Sequence, residues 1–283
     1  MAYLSNENRK KNIEEIIKNF RPIDDTFLSL LIQSNYKVAE YILRVIMEMP
    51  SLKVLEVHSQ DFTQNIFGRS ARFDILAKDD EGKIYNIEIQ RSDAGATLKR
   101  ARFNSSILDI KGINSGDSWD KLNETYVIFI TENDVLKDGL PIYHIERTII
   151  ETCKQFKDGE HIIYVNSSHQ DLTTDLGRLM HDFYCSEASK MLSPIKEDVQ
   201  KIKSSKEGIA NMCEAMEQFE KEAISKGKAE GLAIGIKKGV EQGLEQGMSN
   251  AKNLFIDMLQ KDFGLSYEDA VKKANEVINR KND

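Results

Sequence analysis

Asp74, Glu88 and Gln90 stand in the spacing Asp-x13-Glu-x-Gln inside residues 69–91, RSARFDILAKDDEGKIYNIEIQR. Two carboxylates and an amide can do metal or acid–base chemistry only if the chain brings them together, and the surrounding pattern says how. Phe73, Ile75 and Ala77 alternate with Arg72, Asp74 and Leu76, while Tyr85, Ile87 and Ile89 alternate with Asn86, Glu88 and Gln90. Period-two alternation on both arms predicts a β-hairpin. Asp80, Glu81 and Gly82 make a three-residue loop in which glycine can take the left-handed conformation. Asp79 then faces Lys83, Asp74 faces Glu88 and Arg72 faces Gln90, the last four side chains sharing one face. Directly opposed residues have Cβ atoms about 4.5–5.5 Å apart, so two ionised carboxylates there repel each other unless positive charge lies between them. A hard divalent cation suits the pair, because Mg²⁺ takes one or two carboxylates, retains waters and borrows oxygens from a phosphate. Taken alone, the same alternation also describes the solvated face of an amphipathic hairpin.

The elements that must hold this hairpin are legible around it. Residues 24–49 carry apolar side chains at three- and four-residue steps in two helical segments, with Asp24 or Asp25 as cap and Pro50 as the stop. Residues 52–57 read as a short strand, with His58 and Gln60 opening a connector. After the hairpin, residues 94–109 read as a helix with Leu98, Phe103, Ile107 and Leu108 for the core and Lys99, Arg100 and Arg102 as a cationic patch. Residues 126–131, YVIFIT, suit a central strand buried on both faces. Residues 142–149 and 161–165 are further strands, 172–184 returns to helix, and Trp119 reads as a packing residue. The fold class is α/β, a mixed sheet flanked by helices.

Several further blocks accompany the hairpin in order: RPIDDTF at 21–27, GRSARFD at 68–74, KRARFNSS at 99–106 and GLPIYHIER at 139–147. Together with Asp-x13-Glu-x-Gln they resemble the PD-(D/E)XK nucleases, and more closely the bacterial Rpn-type recombination-promoting nucleases and PD-(D/E)XK family transposases, over roughly residues 20–185. The resemblance implies a restriction-endonuclease-like core and Mg²⁺- or Mn²⁺-dependent hydrolysis of a DNA phosphodiester in recombination or transposition. It also implies that Asp74, Glu88 and the backbone carbonyl of Ile89 hold the metal, with Glu40 as a candidate acid from the first helices. Gln90 would orient the attacking water, although it lacks the positive charge that Lys brings in the wider superfamily. Lys99, Arg100, Arg102 and Arg72 are the candidates for holding the DNA backbone. The competing reading is a catalytically silent, oligomeric DNA-binding or interaction protein that keeps the nuclease fold.

Composition sets the outer limits. A chain of 283 residues, 40% hydrophobic and 30% charged, can bury a full core and still have length to spare. The formal net charge of -7 excludes attraction to nucleic acid through the overall field, so phosphate must be met by a local patch. Cys153, Cys185 and Cys213 lie far apart without ligand spacing, which predicts reduced thiols in a cytoplasmic protein. The polar start, MAYLSNENRKKNIEE, and the absence of a long apolar run predict neither signal peptide nor membrane span.

The expected organisation is a nuclease-like domain over 1–190, a charged helical linker over 191–225, a glycine repeat over 226–250 and a helical hairpin over 251–283. In the repeat, Gly227, Gly231, Gly235, Gly239, Gly243 and Gly247 recur every four residues, five of them followed by Leu232, Ile236, Val240, Leu244 and Met248. Each interior glycine costs a helix roughly 0.8–1 kcal/mol relative to Ala, so the repeat is either a self-associating helix whose glycines admit a close neighbour or a flexible tether. Neither phosphate-loop arrangement occurs there. Leu254, Phe255, Met258 and Leu259 predict one terminal helix, and Ser266 with Asp269 caps a second, in a packing or dimerisation hairpin. Homo-oligomerisation through this tail is the expected assembly.

Overall fold

The computed structural model describes residues 15–63, 71–91 and 95–279. After a helical stretch at 15–19, helices α1 (Asp25–Ser34) and α2 (Lys37–Ile46) lead to the strands β1 (Val54–Thr63), β2 (Ala71–Asp79) and β3 (Ile84–Gln90). Helix α3 (Leu98–Gly112) leads to β4 (Thr125–Thr131), β5 (Ile142–Ile145), a small β6–β7 ribbon (Thr148–Ile149, Lys154–Gln155) and β8 (Glu160–Asn166). Helices α4 (Asp175–Tyr184), α5 (Lys196–Ser204), α6 (Lys206–Phe263) and α7 (Tyr267–Asn279) complete the order. The main sheet has six strands in the order β1-β2-β3-β4-β8-β5. The β1–β2, β2–β3 and β8–β5 pairs are antiparallel, while β3–β4 and β4–β8 are parallel, so the sheet is mixed as its sequence pattern predicts.

Burial on both faces explains the unbroken YVIFIT run: all seven residues of β4 are buried. One face packs Phe27, Leu31, Ile42 and Phe183 from the helices against Ile75, Tyr85 and Ile87. The other packs Ala101, Ile107 and Leu108 of α3 against Phe73, Val127, Phe129 and Tyr164. Leu98, expected in that core, is 58% exposed, because α3 begins with it and the sheet-facing stripe starts at Ala101. Strand β1 runs well past the expected end at Val57, since pairing with β2 carries it through His58, which lies opposite Leu76. Trp119 is 78% exposed and packs no core.

The hairpin turn closes as its chemistry requires. Gly82 adopts φ +86°, and its N–H donates to the Asp79 carbonyl at 3.2 Å. The buried Asp79 carboxylate collects the N–H groups of Glu81 and Lys83 at 3.0 and 2.8 Å and the Tyr85 hydroxyl at 2.8 Å. Asp79 N–H donates to Lys83 C=O at 3.1 Å, and the rungs beyond it pair Lys78 with Ile84, Ala77 with Tyr85, Leu76 with Asn86 and Ile75 with Ile87. This is the register the sequence predicts as far as Ile75–Ile87; the expected Asp74–Glu88 and Arg72–Gln90 rungs do not form.

The stretch expected as a linker belongs largely to the core. Met191, Ile195, Val199, Ile202 and Met212 all join the larger hydrophobic cluster. The Lys203 ammonium donates to the carbonyls of Lys18, Phe20 and Ser186, binding α5 to the N-terminal residues and to the segment after α4. The compact units divide at 217/218, not near 190, because these apolar side chains have their partners in the first unit.

Within the second unit the glycine repeat is helical, part of the 58-residue α6. A Cβ added at any of the six repeat glycines would meet nothing within 4 Å, and Leu232, Ile236, Val240, Leu244 and Met248 are exposed. At its end Gly264 turns the chain with φ +65°, and the Ser266 hydroxyl accepts the Asp269 N–H at 3.2 Å to start α7. Ile256 and Leu259 pack on Ala270 and Ala274, whereas Leu254 and Met258, expected on the packed face, are exposed.

Asp79→Ala removes the acceptor for three donors and leaves the Tyr85 hydroxyl inside the sheet without it. Urea denaturation should show a loss of about 1–3 kcal/mol per stranded group, saturating as the turn relaxes. A change no larger than that of an exposed surface substitution would show that the turn closes without its carboxylate.

Candidate active site

In an antiparallel ladder, residues that exchange both backbone hydrogen bonds recur every second position. The Asp79 N–H to Lys83 C=O bond fixes that phase, so the bonded pairs are Asp79–Lys83, Ala77–Tyr85 and Ile75–Ile87, and Phe73–Ile89 should follow. The ladder stops short of it. The Ile89 N–H donates to the Asp74 carboxylate at 3.0 Å, a side chain taking the place of a strand carbonyl. The alternation of β2 breaks at the same point: Ile75 packs in the larger cluster and Phe73 in the α3 cluster, although they are two residues apart. Asp74 is thus the residue at which β2 leaves β3 while still pairing with β1 through Phe73 and Arg72.

Glu88 occupies the facing position, with a side chain that is 0% exposed. Its Oε1 accepts the Asn86 amide at 3.0 Å and its Oε2 accepts the Arg100 guanidinium at 2.6 Å. The backbone of Asp74 also hydrogen-bonds this carboxylate, so the two acids are tied to each other's strands. Asn86 is itself held by the Asn104 amide of α3 at 3.1 Å. A helix is needed on this side of the sheet because Glu88, Asn86 and their partners are buried and every polar atom requires a partner.

The electrostatics follow from this placement. Burial first, then repulsion from Glu88 and Asp25, raises the Asp74 carboxyl well above the usual carboxylate range, against the Ile89 N–H and Arg100. Glu88 is raised by burial, opposed by Asn86, Arg100 and the Asp74 backbone, and raised further by Asp25. Asp25, the first residue of α1, is therefore a third acid acting on the pair. Its neighbour Asp24 is spent on the Arg21 N–H at 2.8 Å and the Arg91 guanidinium at 3.0 Å. Glu40, the acid expected from the first helices, is instead committed to the Val54 N–H at 2.9 Å and Arg44 at 2.7 Å, where it braces α2 against β1. The doubled Asp in RPIDDTF was the available signal for Asp25, and it reads as helix capping when taken by itself.

Gln90 lies on the same strand as Glu88, with its amide packed on the backbone of Gly95: a Cβ there would fall 1.8 Å from Gln90 Oε1. The Gly95 carbonyl in turn accepts the Arg100 guanidinium at 2.9 Å. Of the other basic candidates, Lys99 and Arg102 are exposed on α3, and the Arg72 side chain lies outside the described residues. The donor set fits a hard cation. Two carboxylates whose proton affinity is raised by burial and by the charge of Asp25 stand beside Ile89, whose C=O shares a strand edge with its N–H and so lies on the Asp74 side.

A second group, His181, Asp182 and Cys185, also gathers ligand atoms within 4.8 Å. There the Asp182 oxygens are taken by the Leu192 N–H at 2.8 Å and the Ser193 N–H at 2.7 Å, and burial pushes the Cys185 thiol up. That carboxylate braces the turn after α4, and a thiol held protonated is a poor ligand.

Among the described residues no helix is long and apolar enough to cross a membrane. Residues 39–227 match the family model described as PD-(D/E)XK nuclease family transposase. No curated protein and no solved structure matched. The matched stretch holds the whole six-stranded mixed sheet, Asp74, Glu88, Gln90 and α3, leaving Asp25 just outside it. With well over half its length matched, this chain belongs to the PD-(D/E)XK nuclease family transposases.

Proposed function

We propose that the protein is a divalent-metal-dependent DNA endonuclease acting in recombination or transposition. The observation that carries this reading is the reciprocal hold of the two acids, Asp74 on the Ile89 N–H and Glu88 on the Asp74 backbone, with proton affinities raised by burial. Asp74, Glu88 and the Ile89 carbonyl would hold Mg²⁺ or Mn²⁺, with Asp25 contributing negative charge nearby. Such an ion supplies positive charge for a phosphate oxygen and acidifies water beside it. Gln90 can hold a water by hydrogen bonding but cannot shift its proton, since an amide does not titrate, so turnover is expected to be slow. Lys99 and Arg102 present charge on the exposed side of α3, suited to phosphates flanking the cut without reading sequence.

The tail has an assembly role in this reading. Exposed glycines with open space over them, next to exposed Leu, Ile, Val and Met, allow a second copy's helix to approach closely. Deleting residues 226–283 should give a smaller species by light scattering that still melts cooperatively. Survival of the larger species would assign association to the first unit.

On supercoiled plasmid with Mg²⁺ or Mn²⁺, wild type should nick, while Asp74→Asn and Glu88→Gln should each lose at least about two orders of magnitude in rate, the scale of a lost catalytic group. Equal nicking by all three would remove the site assignment. Wild type that binds metal and never nicks would favour the silent, DNA-binding reading.

Both carboxyls hold their protons more tightly in the folded chain than in the unfolded one. Their contribution to stability is therefore complete below the unfolded carboxylate values and is lost as pH rises through the raised folded values. The thermal midpoint of the metal-free protein should fall as pH rises above the ordinary carboxylate range, and saturating Ca²⁺ should flatten that fall by replacing the proton. In Asp74→Asn and Glu88→Gln the slope should shrink without metal. A wild-type slope indifferent to Ca²⁺ would speak against a cation between the acids.

A further inference from the structure

The buried Glu88 cannot stand ionised without a cation. It is fully enclosed, and an ionised carboxylate left alone in such a place is strongly disfavoured. In this structure the cation is Arg100. One arm of its guanidinium lies 2.6 Å from Glu88 Oε2, the other 2.9 Å from the Gly95 carbonyl, and the group sits 5.9 Å from the centre of the Phe129 ring. Its charge reaches Asp74 as well. Yet the Arg100 side chain is 35% exposed, so the guanidinium is at the boundary between the acids and solvent, not locked beneath them.

This geometry makes Arg100 and a divalent cation rivals for one oxygen. Among the described residues, Asp25 and Arg100 both act on the Asp74–Glu88 pair, and these four groups carry -3 and +1, which leaves -2 when all are ionised. Adding a divalent ion while Arg100 remains on Glu88 sets two positive groups against the same carboxylate. Releasing Arg100 without a new anion leaves the guanidinium beside an apolar ring and a carbonyl. A phosphodiester of the substrate, drawn to the same place, is an anion with the geometry that a guanidinium fork prefers.

We propose that Arg100 is exchanged between Glu88 and the substrate phosphate, so that metal binding and DNA binding favour each other through this one side chain. Free protein keeps Glu88 capped by Arg100 and takes up metal poorly. Protein on DNA gives Arg100 to the phosphate and opens Glu88. The inference rests on the metal site argued above, and linkage requires the coupling to be the same read from either ligand.

The test uses full-length protein, Ca²⁺ alone, and a duplex oligonucleotide, with calorimetry for Ca²⁺ and fluorescence anisotropy for DNA. In wild type, saturating duplex should tighten Ca²⁺ binding by about tenfold, and saturating Ca²⁺ should tighten duplex binding by the same factor. In Arg100→Met, Ca²⁺ alone should bind at least several-fold more tightly than to wild type, while the mutual tightening with DNA should fall severalfold. Arg102→Met, which removes a charge from the same helix without touching Glu88, should leave the affinity for Ca²⁺ alone near wild type. Arg100→Lys retains charge without the fork and should lie between, and it serves if Arg100→Met does not fold. Weaker or unchanged Ca²⁺ binding in a folded Arg100→Met, an equal rise in Arg102→Met, or no coupling in wild type overturns the exchange and leaves the metal site standing. No Ca²⁺ binding to any of these proteins, with or without DNA, overturns both.

Discussion

The site depends on one diverted hydrogen bond. The Ile89 N–H, whose strand partner should be the Phe73 carbonyl, is taken by the Asp74 carboxylate. An antiparallel pair offers no gap for a ligand, since its rungs close both edges. Ending the ladder at Ile75–Ile87 creates the gap, and the carboxylate that ends it is the one that lines it. The break also turns Phe73 into the α3 cluster, so a single substitution of bonding partner reorganises both faces of β2.

The sheet order makes that gap affordable. Strand β3 keeps its full parallel pairing with β4 from Ile84 to Gln90, and β2 keeps β1 through the region of the break. Helix α3 then serves as a lid of specific chemistry over β3. Asn104 holds Asn86, Asn86 holds Glu88, and Arg100 holds Glu88 from the other side. A buried polar network of this kind is stable only when complete, which explains why Asn104 occupies the core-facing stripe of α3 between Ala101 and Leu108.

Much of this was legible in the sequence because it is written in short-range patterns. The hairpin register follows from period-two alternation and a glycine loop, and the buried run at 125–131 follows from its length and β-branched content. What escaped is long-range or involves exceptions to a pattern. The break at Asp74 leaves the amino-acid alternation intact, so nothing local announces that Phe73 and Ile75 face different clusters. Asp25 meets the pair only after α1 docks on the sheet, and Glu40 is removed from it by an N–H of β1 and an arginine one turn away. Charge-rich composition concealed the packing of 191–217, where a few apolar residues at helical spacing, Ile195, Val199 and Ile202, do the burying.

The contrast between β4 and the broken end of β2 also separates two rates of backbone opening. Amides of β4 lie in a strand buried at every position and paired on both sides, so they exchange hydrogen with solvent only in the rarest openings of the domain. Phe73 and Asp74 have lost β3 as a ladder partner, and the Asp74 carboxylate on the Ile89 N–H still ties this end of β2 to β3. One wall of the acidic pair is therefore set in the slowest-opening part of the sheet, while the other opens once its side-chain bonds to β3 and the β1 pairing let go.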